Sequence, residues 1–444
     1  MAQTVGISIL GCGVVGSAVA EMLLTRQQEL AAQSGVNIEI RSIIVRDPAK
    51  VRSISIPAAL LSTDVQRAID DPKTSIMVEL IGGTDAAKDA VLQSLRRGKH
   101  VVTANKALLA LHGEEIFSTA RQNKKCVAFE AAVGGGIPLI ESVRRGLIAN
   151  DIEAVYGILN GTCNYILGRM LDEEISYAEV LGDAQRLGYA ETDPTLDVEG
   201  IDSAHKLNIL ASIAMRRSCK FDQIAHRGIT EIEVTDLIVG RELGYVCKLL
   251  AVARNHPDGL DLAVQPTFIL TSHPLASVRG PFNAVSVYSD AAGHTLIYGR
   301  GAGGGPTASA VISDIIDVAL GNAARTFESC AVLPDVTPPA VYRNRGDNTS
   351  SYYLRVGLID QPGGMASVAK ALGDERISIA SLVQRRRHES HAEDAVPVVV
   401  VTHPTEERRM DAAIQTICRL SSVVGKAVCI PIMDEHVEAN GVEG

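Results

Sequence analysis

The segment Gly11-Cys12-Gly13-Val14-Val15-Gly16 stands between an apolar run, Val5 to Leu10, and a helical pattern that reaches Ala32. Glycines at this spacing leave few folds open. The first permits a tight turn after a strand, the second lets backbone approach a pyrophosphate, and the third lets the next helix pack on the strand. N–H groups of that helix's first turn then meet the phosphates. A plain glycine-rich turn is the alternative, but the strand-loop-helix setting predicts a dinucleotide site made by all six residues.

The chain beyond Ala32 keeps the same alternation. Ile38 to Val45, Ile76 to Ile81 and His100 to Thr103 read as strands, with a helical stretch from Asp85. Residues 1–135 are therefore expected to form a Rossmann-type unit, helices around a parallel sheet, in an α/β chain. The end of the second strand selects between coenzymes, because a carboxylate there accepts from the ribose 2′-OH. Here Arg46 follows Val45, with Lys50 close behind. Cations suit a 2′-phosphate, so NADP(H) is favoured over NAD(H), while Asp47 keeps the NAD(H) alternative open.

Composition narrows the rest. A chain of 444 residues exceeds what one core usually holds, so two or three domains are expected. Lys and Arg number 42 against 52 Asp and Glu, a net charge of −10, and Arg385-Arg386-Arg387 is the one basic triplet. That balance argues against nucleic-acid or anionic-membrane partners. Met1 to Gly6 lack a basic leader region, and no uncharged apolar run approaches the ~18 residues of a membrane span. The 8 cysteines, at 12, 126, 163, 219, 247, 330, 418 and 429, form no CxxC pair. Their scatter argues against zinc or a disulfide framework and for a reducing cytoplasm.

Past Gly134-Gly135-Gly136-Ile137-Pro138 the pattern turns to longer helices and sparser strands, an α+β region over 136–333, parts of 305–333 packing back on the first unit. Prolines and an aperiodic Gly-Asp-Asn-Thr-Ser-Ser stretch mark 334–351 as a flexible linker. From 352 to 435 the order β-α-β-β-α-β predicts a ferredoxin-like unit, its second helix starting at Thr405.

Four further stretches carry a resemblance. They are Glu79-Leu80-Ile81-Gly82-Gly83-Thr84 with Thr103-Ala104-Asn105-Lys106; Gly157 to Leu167, containing Asn160-Gly161-Thr162-Cys163-Asn164; Glu191 to Leu207; and Gly301-Ala302-Gly303-Gly304-Gly305-Pro306-Thr307. With the glycine fingerprint they resemble the homoserine dehydrogenase family over essentially Val5 to Met433, and the C-terminal unit resembles an ACT domain. The resemblance implies NAD(P)-dependent interconversion of L-aspartate 4-semialdehyde and L-homoserine, on the way to threonine, methionine and isoleucine. It also implies a homodimer or homotetramer, with 136–333 catalytic and dimerising.

Roles come with the resemblance. Lys206 is the proton donor, Asp202 positions and supports it, and Lys106 is a second active-site lysine beside substrate and cofactor. Whether Lys106 or Lys206 delivers the proton stays open on sequence, with Lys206 preferred. Glu191 binds the substrate's amino group, and Asp197, Gly161 and Thr162 complete the substrate site. Gly82, Gly83, Thr84, Thr103, Asn105, Gly301 and Gly305 adjoin the cofactor. A Na+ or K+ ion is implied at Glu130 and the carbonyls of Val133, Gly135 and Ile137. Asp360-Gln361-Pro362-Gly363-Gly364-Met365 is the regulatory loop, with L-threonine as effector.

The residues can also be read physically. Asp202 and Lys206, four apart, share a helix face that Ile209 and Ile213 continue, which turns the pair inward. Alone, such a pair is an ordinary surface contact. Hydride addition to an aldehyde creates an alkoxide, which needs a cation or proton donor at about 3 Å. Two other readings remain. Cys163 could be a thioester-forming nucleophile of a phosphorylating semialdehyde dehydrogenase, which requires a base to make the thiolate. The chain could instead be a non-catalytic amino-acid sensor, which the joint retention of Lys106, Glu191, Asp202 and Lys206 argues against.

Overall fold

The computed structural model describes residues 3–384 and 395–433; the basic stretch Arg385 to His391 and residues 434–435 of the last expected unit lie outside them. Strand β1 (Gln3–Leu10) is buried on both faces from Val5 onward, as a central strand covered by helices on either side must be. It pairs in parallel with β2 (Val36–Ile44) and β4 (Thr74–Glu79); β3 (Leu61–Ser62), β5 (His100–Thr103) and β6 (Val127–Ala128) complete the order β3-β2-β1-β4-β5-β6. The single helix expected to reach Ala32 is two, Val14–Thr25 and Gln27–Ser34, broken at Arg26. The second buries no residue. Its Gln27 amide bonds the Asn37 side chain and the Ile38 carbonyl, and Gly35 at φ 75° turns the chain into β2.

The second region is built on the antiparallel strands β7 (Ile152–Ile158), β9 (Tyr245–His256), β10 (Gly259–Leu270), β11 (Phe282–Ser289) and β12 (Gly293–Arg300), with the short β8 (Ala225–His226) parallel to β10. Its buried helix Ile201–Ala214 lies across them. Helix Gly304–Ala319 leaves this region and packs on Val14–Thr25 of the first, with Gly304 against Val14 and Ala18. Helix Asn322–Ser329 follows it, setting Phe327 beside Phe117.

The last unit has strands β13 (Thr349–Ile359), β14 (Ile379–Gln384), β15 (Ala395–Thr402), β16 (Thr405–Glu406) and β17 (Val423–Ile432) and helices Gly364–Asp374 and Glu407–Ile417. Thr405 and Glu406 are not the start of the second helix as expected; they pair with Ser350 and Thr349. Nor is the unit merely tethered. β17 continues the second sheet beside β10, giving the order β12-β11-β7-β9-β10-β17-β13-β15-β14, and the Met433 N–H donates to the Phe268 carbonyl at 2.8 Å. Asp236, fully buried, takes Arg355 at 2.7 and 3.2 Å and the Tyr353 hydroxyl at 3.0 Å.

The stretch expected as a flexible linker is strapped down. Pro338 accepts from the Ser218 N–H, the Ala340 N–H donates back to Ser218, and Leu260 exchanges backbone bonds with Val341 and Arg343. Proline cannot donate to a ladder, but its carbonyl accepts normally, so an aperiodic sequence still pairs.

Candidate active site

The fingerprint loop closes as its spacing requires. Gly11 sits at φ 99°, and a Cβ there would lie 2.6 Å from the Leu80 carbonyl oxygen; one on Gly16 would lie 2.2 Å from that of Gly11. Gly13 caps helix Val14–Thr25, with open space around its missing side chain. The N-termini of this helix and of Gly304–Ala319, where Gly305 lies, therefore converge. Two such ends offer unpaired N–H groups to a pyrophosphate. Arg46 and Lys50 are exposed just past β2, while Asp47 accepts from the Ala49 N–H at 2.8 Å.

Glu79, at the end of β4 and fully buried, organises the opposite wall. It accepts from Thr103 at 2.6 Å and from the N–H groups of Ile81 and Gly82, while Asn105 donates to the Gly83 carbonyl at 2.7 Å. Burial raises the Glu79 pKa, against these hydrogen bonds. Gly82 and Gly83 have φ near 70°, so the loop carrying Thr84 turns where other residues would be strained. Asn105 caps helix Lys106–Gln122, which puts Lys106 at its first position, pointing at the second region.

There it meets Asp202. Lys106 Nζ lies 2.9 Å from Oδ1 and Lys206 Nζ 2.7 Å from Oδ2 of that carboxylate. Asn160 Nδ2 donates to Asp202 Oδ2 at 2.9 Å and Asp197 Oδ1 at 2.7 Å, and Lys206 also donates to the Leu159 carbonyl at 2.7 Å. Burial opposes ionisation of Asp202, but the two lysines outweigh it and hold its carboxyl below the usual range. Burial pushes the Lys206 ammonium down, with Asp202 opposing. Lys106 is 42% exposed and is raised by Asp202, then by Asp197 and Glu191. Burial and the Asp202 charge raise Asp197. Gly161 opens helix Gly161–Glu173, where its Cβ would strike the Pro281 carbonyl at 2.7 Å, and Thr162 bonds the Tyr189 carbonyl.

Three contributors escape a sequence reading of single residues. Glu79 stands within a stretch already singled out, and an acidic residue closing an apolar strand was its signal. Asn160 had the signal of a helix cap. Asn283 had none: it donates to Leu159 from 124 residues away and packs against Gly301, where a Cβ would come within 2.1 Å of its amide. Cys163 is fully buried, its thiol bonded to the Asp197 carbonyl and raised far by burial, so it supplies no thiolate. Among the described residues no group of three His, Cys, Asp or Glu could hold a metal ion, and no helix is long and apolar enough to cross a membrane.

A dinucleotide-binding sheet joined to a Lys–Asp–Lys cluster, whose Asp202 and Lys206 are buried, defines an NAD(P)-dependent oxidoreductase acting on a CH–OH group. Family models described as homoserine dehydrogenase NAD binding domain, homoserine dehydrogenase and ACT domain match residues 11–130, 138–316 and 352–421. The chain belongs to the homoserine dehydrogenase family, in a form with a C-terminal ACT domain. It is 42% identical to the homoserine dehydrogenase of Pseudomonas aeruginosa over 97% of this chain and 99% of that one. A crystal structure of a homoserine dehydrogenase from Thiobacillus denitrificans superimposes with TM-score 0.89 at 40% identity, covering 97% of this chain and 99% of that one. A hyperthermophilic archaeal homoserine dehydrogenase in complex with NADPH aligns with TM-score 0.60 at 26% identity, over 72% of this chain and 98% of that one.

Proposed function

We propose that the chain reduces L-aspartate 4-semialdehyde to L-homoserine with Lys206 as proton donor. The single observation that carries this is the Lys206 ammonium, buried and holding two of its N–H groups on Leu159 and Asp202, which leaves the third for a substrate oxygen. A nicotinamide cofactor held at Gly11 to Gly16 would supply the hydride for the aldehyde carbon. Lys206 gives its proton to the oxygen as the alkoxide forms and afterwards regains one from solvent. Asp202 positions both lysines; Lys106, on the open rim, holds the substrate's polar end, with Glu191 and Asp197 receiving its ammonium. Following NADPH oxidation with aspartate semialdehyde in wild type and Lys206→Met tests the assignment, and near-normal turnover in the variant would overturn it.

NADP(H) is the coenzyme we favour, because Arg46 and Lys50 are exposed cations at the end of β2 without an ion-pair partner among the described residues, while Asp47 is engaged in its own turn. The residues proposed for a monovalent cation fit one in chemistry. Glu130 and three carbonyls are an all-oxygen set, as Na+ or K+ requires. Burial raises Glu130 to about 7, and among the described residues it has no ion-pair partner. Its oxygens accept the Ile140 and Glu141 N–H groups at 2.8 Å each, which fixes the carboxylate. We assign the ion a structural role.

L-threonine is the effector we propose for Asp360 to Met365, whose exposed turn opens helix Gly364–Asp374, in an assembly of at least two chains. Inhibition by threonine that survives Asp360→Ala together with Gly364→Val would refute the site. The eight unpaired cysteines support a cytoplasmic setting.

A further inference from the structure

The seam between the last unit and the second sheet encloses a cavity of about 290 Å3. Its floor is β9 and β10, one wall is helix Glu407–Ile417 with β17, and the strap at Arg345 to Ser350 closes an end. Three guanidinium groups, of Arg227, Arg254 and Arg345, and three carboxylates, of Asp261, Glu407 and Asp411, line it. Two pairs form among them: Arg254 with Asp261 at 2.6 Å and Arg345 with Glu407 at 2.9 Å. That leaves one cation, Arg227, and one anion, Asp411, each without an ion-pair partner among the described residues.

The cavity also holds unmet hydrogen-bonding capacity. Oδ1 of Asp261 and Oδ1 of Asn348 have no partner, in side chains only 3% and 7% exposed. The Nε of Arg345, which lines the same cavity, is unmet as well, and a buried polar atom left so costs about 1–3 kcal/mol, more for a charged one. A ligand that brings one ammonium and one carboxylate answers the two spare charges; the enclosed Oδ1 atoms would meet it only if their side chains turned toward the cavity. The volume lies at the lower end for small-molecule sites, too small for a nucleotide, and Met410 and Ile414 offer an apolar surface to a short side chain.

We propose that this seam is a small-molecule site for a free L-α-amino acid bound as its zwitterion, carboxylate at Arg227 and ammonium at Asp411. It is separate from the Asp360–Met365 turn, none of whose residues lines the cavity. A ligand seated here touches the ACT unit and the catalytic sheet at once, so its binding favours their docked arrangement over any looser one.

The test uses the full chain. Each of the proteinogenic L-amino acids is screened at about 10 mM by thermal shift, where a bound ligand raises Tm by mass action, and hits are titrated by calorimetry. The expected result is at least one binder whose Kd rises by about tenfold or more in Arg227→Gln and in Asp411→Asn, a change of about 1.4 kcal/mol. Both side chains are exposed, so turnover without added amino acid should not change in either variant. Asp360→Ala should leave this affinity intact. The proposal is overturned if no amino acid binds, if both seam variants bind as wild type does, or if Asp360→Ala alone abolishes binding, which would place the ligand at the turn.

Discussion

Lys106 and Lys206 hold opposite oxygens of a single carboxylate, that of Asp202, at 2.9 and 2.7 Å. One lysine opens a helix of the dinucleotide-binding region and the other lies inside the second region, so the contact closes the site across the domain boundary. It also divides the work. The buried lysine is depressed toward losing its proton, and the rim lysine is raised and stays charged.

Lys206→Met should therefore lower kcat by about 10²–10⁴, the usual worth of a placed acid, while Asp202 keeps Lys106 as counter-ion. Asp202→Asn should hurt stability more, because it leaves a buried ammonium uncompensated, at about 3–5 kcal/mol. Steady-state kinetics and urea midpoints of the two variants separate these effects; a Lys206→Met enzyme with kcat within tenfold of wild type contradicts the role.

The pH dependence has a definite sign. With Lys206 as the proposed donor, aldehyde reduction needs it protonated, so the rate should fall as pH rises through a pKa that burial sets below the ordinary lysine value of about 10.4. Alcohol oxidation needs the free amine and rises over the same range. Asp202→Asn removes the charge that opposes the depression, so both limbs should move to lower pH. Profiles of kcat/KM in each direction test this, and limbs unmoved by the substitution count against Lys206 as the titrating group.

How much of the molecule was legible in the sequence depended on range. The turn Gly11 to Gly16 and the pairing of Asp202 with Lys206 are local, set by spacing alone, and Lys106 could be placed at a strand's exit. The break at Arg26 was not visible, because helical periodicity continues through it and the side-chain bonds of Gln27 decide it. Asn283 and the union of β17 with β10 were hidden for another reason: each rests on contacts between residues more than 100 apart, and no local pattern encodes a partner at that distance.

Arg46→Ala addresses the coenzyme. A hydrogen bond to a charged group contributes about 1.5–3 kcal/mol, so the KM for NADPH should rise roughly tenfold to a hundredfold while that for NADH changes little. A constant ratio of the two would show that Arg46 touches no 2′-phosphate.

Gly301→Ala probes the wall between substrate and cofactor. The added Cβ would come within 2.1 Å of the Asn283 amide, which cannot retreat without releasing the Leu159 carbonyl that also holds Lys206. Overpacking of this kind costs about 1–3 kcal/mol. The expected outcome is a lower kcat together with a lower thermal midpoint, both following from the clash with Asn283. An unchanged kcat and midpoint would mean that Asn283 gives way without cost.

The ACT unit is fastened by Arg355 on Asp236, with the Tyr353 ring packed 5.0 Å from that of Phe268. Cutting the chain after Pro338 would strip β17 from the edge of β10 and uncover Phe268, so deletion damages the catalytic sheet along with the proposed effector site. Point variants are cleaner. Arg355→Met leaves the fully buried Asp236 unpaired and should cost about 3–5 kcal/mol, whereas Asp236→Asn with Arg355→Met removes both charges and should recover much of that loss. If the double variant is as unstable as the single one in urea melts, the pair's charges are not what fastens the unit. If it is stable and threonine inhibition is lost with catalysis intact, the fastening itself carries the signal from the ACT unit to the sheet.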